Sequence, residues 1–182
     1  LNGAKALDKS LISARTMINM DSEEEGIATV SCAGGLRIGC KRNIVRDNMQ
    51  GSLVKIAISG LKGGHSGTDI DMERKNANRV MARVLYQIMK HTDGRLVAFV
   101  GGTKDNAIPR ECEASIVYTE LEEAKKAEKT ANDLAAALAD EITPYEEDFV
   151  CEVSLEEDRE VQTIPTKDAN ALISAVYLAP NG

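Results

Sequence analysis

The sequence predicts an α+β fold, a ferredoxin-like βαββαβ sandwich in which two helices cover one face of a four-stranded antiparallel sheet. Three observations predict it: runs of alternating apolar and polar residues, two long apolar stripes at helical spacing, and their order along the chain between residues 52 and 155. Two right-handed crossovers between such elements put both helices on the same face. The other face is then left to solvent or to a partner.

Four runs show the period of two that is typical of half-buried strands. In the first, "GSLVKIAISGL", the side chains of Val54, Ile56 and Ile58 alternate onto one face. The other three runs are "RLVAFV", "ECEASIVYT" and "FVCEVSL". The second and third strands are connected by "GGTKDNAIPR", which is long for a simple hairpin turn.

Two segments between these strands carry apolar residues at helical spacing. The first helix is predicted from about Glu73 to Lys90, and the second from about Leu121 to Ile142. Alanines dominate the apolar stripe of the second helix, so that helix can lie close to the sheet. A last helix is predicted near the end of the chain, with Thr166 as its N-terminal cap.

Composition excludes several classes of function. The chain has 182 residues and a formal net charge of -7, so it lacks the clustered positive charge that nucleic-acid binding requires. No apolar run approaches the ~20 residues of a membrane span, and no signal peptide is visible. The four cysteines have no CxxC spacing, which favours reduced thiols in the cytoplasm. The chain begins with Leu and stops at "LAPNG", so we expect both ends to continue in a longer protein.

His65 is the first candidate for chemistry, because it lies in "LKGGHSGTDI" between glycines that let the backbone approach another surface closely. An imidazole on such a loop can donate a hydrogen bond to a developing oxyanion or exchange protons near neutral pH. The alternative is a plain strand-to-helix turn in which His65 caps local backbone groups.

Asp21, in "MINMDSEEEG", is the second candidate because it follows a short apolar run. A carboxylate at the end of a strand is a reasonable ligand for zinc or manganese. The alternative is a solvated acidic turn. With two histidines and scattered cysteines, the chain is not expected to close a typical zinc site by itself.

Asn106 and Arg110, in "GGTKDNAIPRE", form the third candidate. Asn106 offers both a donor and an acceptor, and Arg110 offers a planar fork for a carboxylate. The alternative is a long connection built from turn residues. The later run "ITPYEEDF" is interpreted as a charged surface loop.

Taken together, "INMDSEEEG", "LKGGHSGTDI", "NANRVMARVL", "GGTKDNAIPRE" and "APNG" resemble the zinc metallopeptidase family that contains glutamate carboxypeptidase, tripeptidase T and aminoacylase. Within that family the likeness is to the carnosinase-like enzymes that cleave Xaa-His dipeptides. The resemblance implies a catalytic α/β domain with an inserted lid, or dimerisation, domain. Residues 1–28 would then be a stub of the catalytic domain, and residues 29–182 a lid domain that is incomplete at its C-terminus.

The resemblance also implies roles for individual residues. Asp21 matches a metal ligand, His65 matches a lid histidine that stabilises the oxyanion, and Asn106 matches a substrate-binding asparagine. Arg110 lies in the same motif but receives no role. The full-length enzyme would hold two zinc ions, or other divalent metals, mostly through residues outside this chain. The chain alone is therefore expected to bind no metal and to be inactive.

The partners implied by the resemblance are a dipeptide substrate, the catalytic domain of the same protein and a second copy in a homodimer. Neither nucleic acid nor a membrane is among them. The alternative is a non-catalytic ferredoxin-like module that binds a small ligand or only dimerises, because this fold hosts many unrelated functions.

Overall fold

A computed structural model describes residues 6–16, 18, 25–28, 30–31 and 34–181. The chain divides into two compact units, Leu1–Lys41 and Arg42–Gly182. In the first unit a 3-10 turn spans Lys9–Leu11, and the Asp8 carboxylate accepts hydrogen bonds from the amide and hydroxyl of Ser10 at 2.9 and 2.7 Å. The assignment of residues 1–28 to a catalytic domain and of 29–182 to a lid stays a prediction.

The second unit contains the regular elements of the fold. In chain order they are β1 (Asp47–Ser59), β2 (Gly64–His65), a 3-10 turn (Ile70–Met72), α1 (Ala77–His91), β3 (Arg95–Gly101), β4 (Ala107–Ile108), β5 (Cys112–Tyr118), α2 (Leu121–Ile142), β6 (Val150–Thr163) and α3 (Thr166–Leu178). None of the helices in the described ranges has both the length and the apolar character needed to cross a membrane.

The four long strands form an antiparallel sheet in the order β3-β5-β1-β6. This is the order of a ferredoxin-like sandwich, so the predicted fold class is confirmed. The register places the predicted apolar residues on one face: Val54 pairs with Ile116 and Leu155, Ile56 with Ala114 and Val153, and Ile58 with Cys112 and Cys151.

Both long helices pack on this apolar face. The buried residues of α1 are Ala77, Val80, Met81, Ala82, Val84, Leu85 and Ile88, and those of α2 are Ala124, Ala127, Ala131, Leu138 and Ile142. All of them except Ala82 share one core with the sheet residues. The third helix adds Ala169 and Ile173 to that core, and its Tyr177 ring stacks on Tyr86 with centroids 5.4 Å apart.

Several element boundaries differ from the prediction. Helix α1 begins at Ala77 rather than near Glu73, because Glu73 has a left-handed φ of 52° and the Asn76 side chain caps the helix by accepting from the amides of Asn78 and Arg79. The prediction that Thr166 caps the last helix is wrong. Pro165 holds that position, and the Thr166 hydroxyl accepts a hydrogen bond from Arg95 instead.

Strand β6 is longer than the predicted "FVCEVSL", because its pairing with β1 continues to Thr163. Within this extension the pairing register of the two strands shifts between Gly51 and Leu53 of β1. Opposite it, Asp158 has a left-handed φ of 52°, and its carboxylate accepts a hydrogen bond of 2.7 Å from Gln50. A bulge of this kind bends the strand pair and increases its twist.

Candidate functional site

The loops that carry His65 and Asn106 are joined by backbone pairing. In the small antiparallel ladder of β2 and β4, Gly64 lies opposite Ile108 and His65 lies opposite Ala107. One residue further on, the Ser66 amide donates a 3.0 Å hydrogen bond to the Asn106 carbonyl. Two stretches that the sequence marked as separate candidates therefore form one local structure, in which His65 lies opposite Ala107 and Asn106 follows immediately beyond the ladder.

The His65 imidazole is exposed, and one of its nitrogens is already engaged. Its Nδ1 accepts hydrogen bonds from the amides of Gly67 and Thr68, at 3.1 and 3.3 Å. An accepting nitrogen carries no proton, so in the neutral ring the proton is on Nε2. His65 does cap local backbone, as the simpler alternative proposed, but this cap also fixes the tautomer and leaves Nε2–H as a donor.

Asp69 holds the backbone of the same loop. Its carboxylate accepts a 2.8 Å hydrogen bond from the His65 amide, and its own amide donates to the His65 carbonyl at 3.0 Å. Gly64 has a φ of 152°, and a Cβ there would lie 2.8 Å from the Asp69 carboxylate. The glycine is needed because this turn leaves no room for a side chain.

Arg110 links the second loop to the start of the first. Its Nε donates a 2.9 Å hydrogen bond to the Leu61 carbonyl. Its aliphatic stem lies against Gly63, where φ is 62° and a Cβ would be 2.3 Å from the Arg110 Cγ. The structure therefore gives Arg110, which had no assigned role, a structural one.

Glu146 is not indicated by the sequence, because the pattern of "ITPYEEDF" predicts a charged surface loop. That interpretation is wrong at Glu146, because this residue is only 2% exposed. Its carboxylate accepts hydrogen bonds from the Lys62 amide at 2.7 Å and from the Lys75 amide at 3.1 Å. The available signal was spacing: Ile142, Glu146 and Phe149 recur at helical intervals, and all three are buried.

No group of three or more His, Cys, Asp or Glu side chains that could hold a metal is found within the described ranges. Asp21, the predicted metal ligand, lies outside the described residues. Two of the thiols are also poor ligands in their present surroundings, because burial raises the pKa of Cys112 to about 12 and that of Cys151 to about 11.

Comparison with known families identifies the domain. Residues 56–146, half of the chain, match the family described as the peptidase dimerisation domain. The chain belongs to this family. The matched range of the dimerisation domain includes His65, Asn106, Arg110 and Glu146, whereas Asp21 precedes it.

Two relatives of this dimerisation domain are dipeptidases by name. The cytosol non-specific dipeptidase of Escherichia coli (strain K12) is 40% identical over 118 residues, which are 64% of this chain and 24% of that protein. The crystal structure of aminoacylhistidine dipeptidase from Vibrio alginolyticus superposes with a TM-score of 0.69 at 33% identity, covering 78% of this chain and 29% of that one. The resemblance seen in the sequence is thus confirmed at the level of the family. The chain spans about a quarter of the length of these relatives.

Proposed function

We propose that this peptidase dimerisation domain is the lid of a metal-dependent dipeptidase, and that His65 stabilises the oxyanion formed when the peptide bond is attacked. One observation carries the proposal: an exposed imidazole whose Nδ1 is held by the Gly67 and Thr68 amides, so that Nε2–H is left as a donor. The dipeptidase names of the two relatives support the reaction class.

The chemistry of the proposed step requires little from this domain besides that donor. As the carbonyl becomes tetrahedral, negative charge develops on its oxygen, and a donor already in position stabilises the charge without having to reorient. Closure of a lid also excludes water from the reacting groups, which strengthens the hydrogen bond. The neutral imidazole is sufficient for this role, because Nε2 donates a proton in a hydrogen bond and does not transfer it.

For the substrate, we propose a dipeptide of the Xaa-His class with Asn106 as a binding residue. The backbone bond between Ser66 and Asn106 supports this assignment, since it keeps residue 106 beside the His65 loop. A carboxamide can donate to a carboxylate and accept from an amine, the two groups at the ends of a dipeptide.

A pair of zinc ions, or other divalent metals, is proposed for the full-length protein, with Asp21 as one ligand. The described residues do not fit a metal centre, since they contain no suitable cluster. We therefore derive no step through a metal held by them, and we expect the isolated chain to be inactive. A cytoplasmic location and a homodimer are also proposed, in keeping with the names of the Escherichia coli relative and of the domain family.

The test is a matched pair of histidine variants in the full-length protein. His65→Ala should lower kcat on a dipeptide such as β-alanyl-histidine by about 10²–10³, the usual cost of one oxyanion donor. Metal content, measured by elemental analysis, should not change. His91→Ala is the control, because His91 is exposed at the end of α1. A His65→Ala enzyme with the wild-type kcat would overturn the proposal.

The proposed homodimer is tested separately, by measuring the mass of the chain in sedimentation.

A further inference from the structure

We infer that Glu146 is a positioning residue for the reaction, because it holds both ends of the segment that carries His65. The inference rests on the proposed role of His65 as an oxyanion donor. Glu146 lies in the turn between α2 and β6 and does not belong to either of the glycine-rich loops. It acts through the backbone of residues 62–75, not by touching the substrate.

The two carboxylate oxygens of Glu146 are divided between the two ends of this segment. Oε2 accepts from the amide of Lys62, which precedes His65, at 2.7 Å, and Oε1 accepts from the amide of Lys75, which follows it, at 3.1 Å. The side chain is buried, so these bonds are not shared with bulk water. Hydrogen bonds to a carboxylate are stronger than those between neutral groups, particularly where water is excluded.

Glu146 is itself fixed to the core. Its amide donates to the carbonyl of Ile142, the last residue of α2, at 3.0 Å, and its carbonyl accepts from the Phe149 amide at 3.0 Å. Ile142 is fully buried and Phe149 is 7% exposed. The backbone of Glu146 is therefore held from both sides by residues of the hydrophobic core.

Further contacts hold the same turn against residues 60–62, where the His65 segment begins. The Lys62 ammonium donates to the Tyr145 carbonyl at 2.6 Å. Gly60, with a φ of 75°, lies so close to Asp148 that a Cβ would be 1.7 Å from its carbonyl oxygen. Tyr145 also contacts the other end of the segment, since the Lys75 ammonium lies 6.0 Å from the centre of its ring. Glu146 differs from Tyr145 in that its side chain accepts a backbone hydrogen bond from each end.

The substitution that isolates this function is Glu146→Gln, which keeps the volume but replaces one acceptor oxygen with an NH₂ group. That group faces a backbone N–H, so one of the two anchors is lost. In the full-length enzyme we expect kcat to fall ~10- to 100-fold, since a displacement of about 1 Å at a reacting group can cost that much. Glu147→Gln is the control, because Glu147 is exposed and adjacent.

A double-mutant cycle separates positioning from a general loss of stability. If Glu146 acts through His65, Glu146→Gln should lower kcat by less than about twofold in a His65→Ala background. Thermal melting of each variant establishes that it is folded at the assay temperature. Hydrogen exchange, which needs no activity, should be faster in Glu146→Gln than in Glu147→Gln for at least one of the Lys62 and Lys75 amides.

The outcomes distinguish the inference from the proposed function. A His65→Ala enzyme with the wild-type kcat overturns the function, and the inference with it. A large effect of His65→Ala alongside an unaffected Glu146→Gln overturns the inference alone. Losses in kcat that simply multiply in the double variant also overturn it, because Glu146 would then act independently of His65. If hydrogen exchange of both amides is unchanged in Glu146→Gln, the carboxylate does not anchor them, and the inference is overturned.

Discussion

The Ser66 amide donates a hydrogen bond of 3.0 Å to the Asn106 carbonyl, and this bond joins two loops that are distant in sequence. Arg110 makes a second link between the same two parts of the chain, because its Nε donates a hydrogen bond to the Leu61 carbonyl. One link is made by backbone groups and the other by a side chain. Substitutions at Arg110 and at its contact Gly63 can therefore weaken the second link while the first remains.

Gly63→Ala should destabilise the domain by about 1–3 kcal/mol, the usual cost of strained backbone in the left-handed region. The added Cβ would also lie 2.3 Å from the Arg110 Cγ and would force that side chain to move. Gly102→Ala is the matched control, because its φ is 80° but the nearest atom to its Cβ would be 3.5 Å away. Urea unfolding of both variants measures the difference, and equal losses would show that the Arg110 contact contributes nothing.

Arg110→Met should lower the free energy of unfolding by about 1 kcal/mol, the typical net contribution of one hydrogen bond. Methionine keeps an apolar stem beside Gly63 but has no N–H for the Leu61 carbonyl. Lys104→Met, in the same loop, removes the same charge from an exposed residue and serves as the control. Chemical denaturation compares the two, and a loss in Lys104→Met as large as in Arg110→Met would assign the effect to charge.

Cys112 and Cys151 should react far more slowly with iodoacetamide than Cys40. Burial raises the pKa of the Cys112 thiol to about 12, with a smaller contribution from the nearby Glu113, and burial alone raises that of Cys151 to about 11. Cys40 is exposed. Because the thiolate is the reactive form, the two shifted thiols should react slowly near pH 8. Peptide mass spectrometry identifies the modified residues, and in urea the contrast among the three should disappear.

The same shifts predict that the domain loses stability in alkaline solution. The folded pKa of Cys112 lies above its ordinary value of 9.0, so the unfolded chain releases the proton first as pH rises. The stabilising contribution is complete below about pH 9 and is lost as pH rises towards about 12. Tyr118 acts in the same direction, since burial raises its pKa to about 12 against the opposing effect of its hydrogen bond with Thr92. Urea midpoints across this range test the sign, and a stability that rises with pH would contradict it.

Ala127→Leu should destabilise the domain by about 1–3 kcal/mol, the usual cost of overpacking a core. Ala127 has no exposed surface where α2 lies on the sheet, so a larger side chain must displace its neighbours. Ala136→Leu, at an exposed position of the same helix, is the control and should change stability little. Melting temperatures of the two variants give the comparison. Similar values would mean that α2 does not pack closely at Ala127.

Much of the fold could be predicted because the spacing of apolar residues in each segment depends only on the residues of that segment. The alternation of Val54, Ile56 and Ile58 identifies a strand with one apolar face, whatever it packs against. The helix start was less predictable. The sequence predicts a start near Glu73, but Glu73 has a left-handed backbone and the Asn76 side chain caps the helix, so α1 begins at Ala77. The last helix shows the same limit, since Thr166 bonds to Arg95 of a strand that is distant in sequence.

The sequence by itself determined the four long strands and the three helices, their order, the family and His65 as a candidate, since each of these depends on residues close together along the chain. Only the tertiary structure decided that the His65 and Asn106 loops pair, that Arg110 joins them and that Glu146 is buried. The physical reason is that a carboxylate can be buried only where N–H groups from other segments reach it. Lys62 and Lys75 supply those groups once the chain has folded.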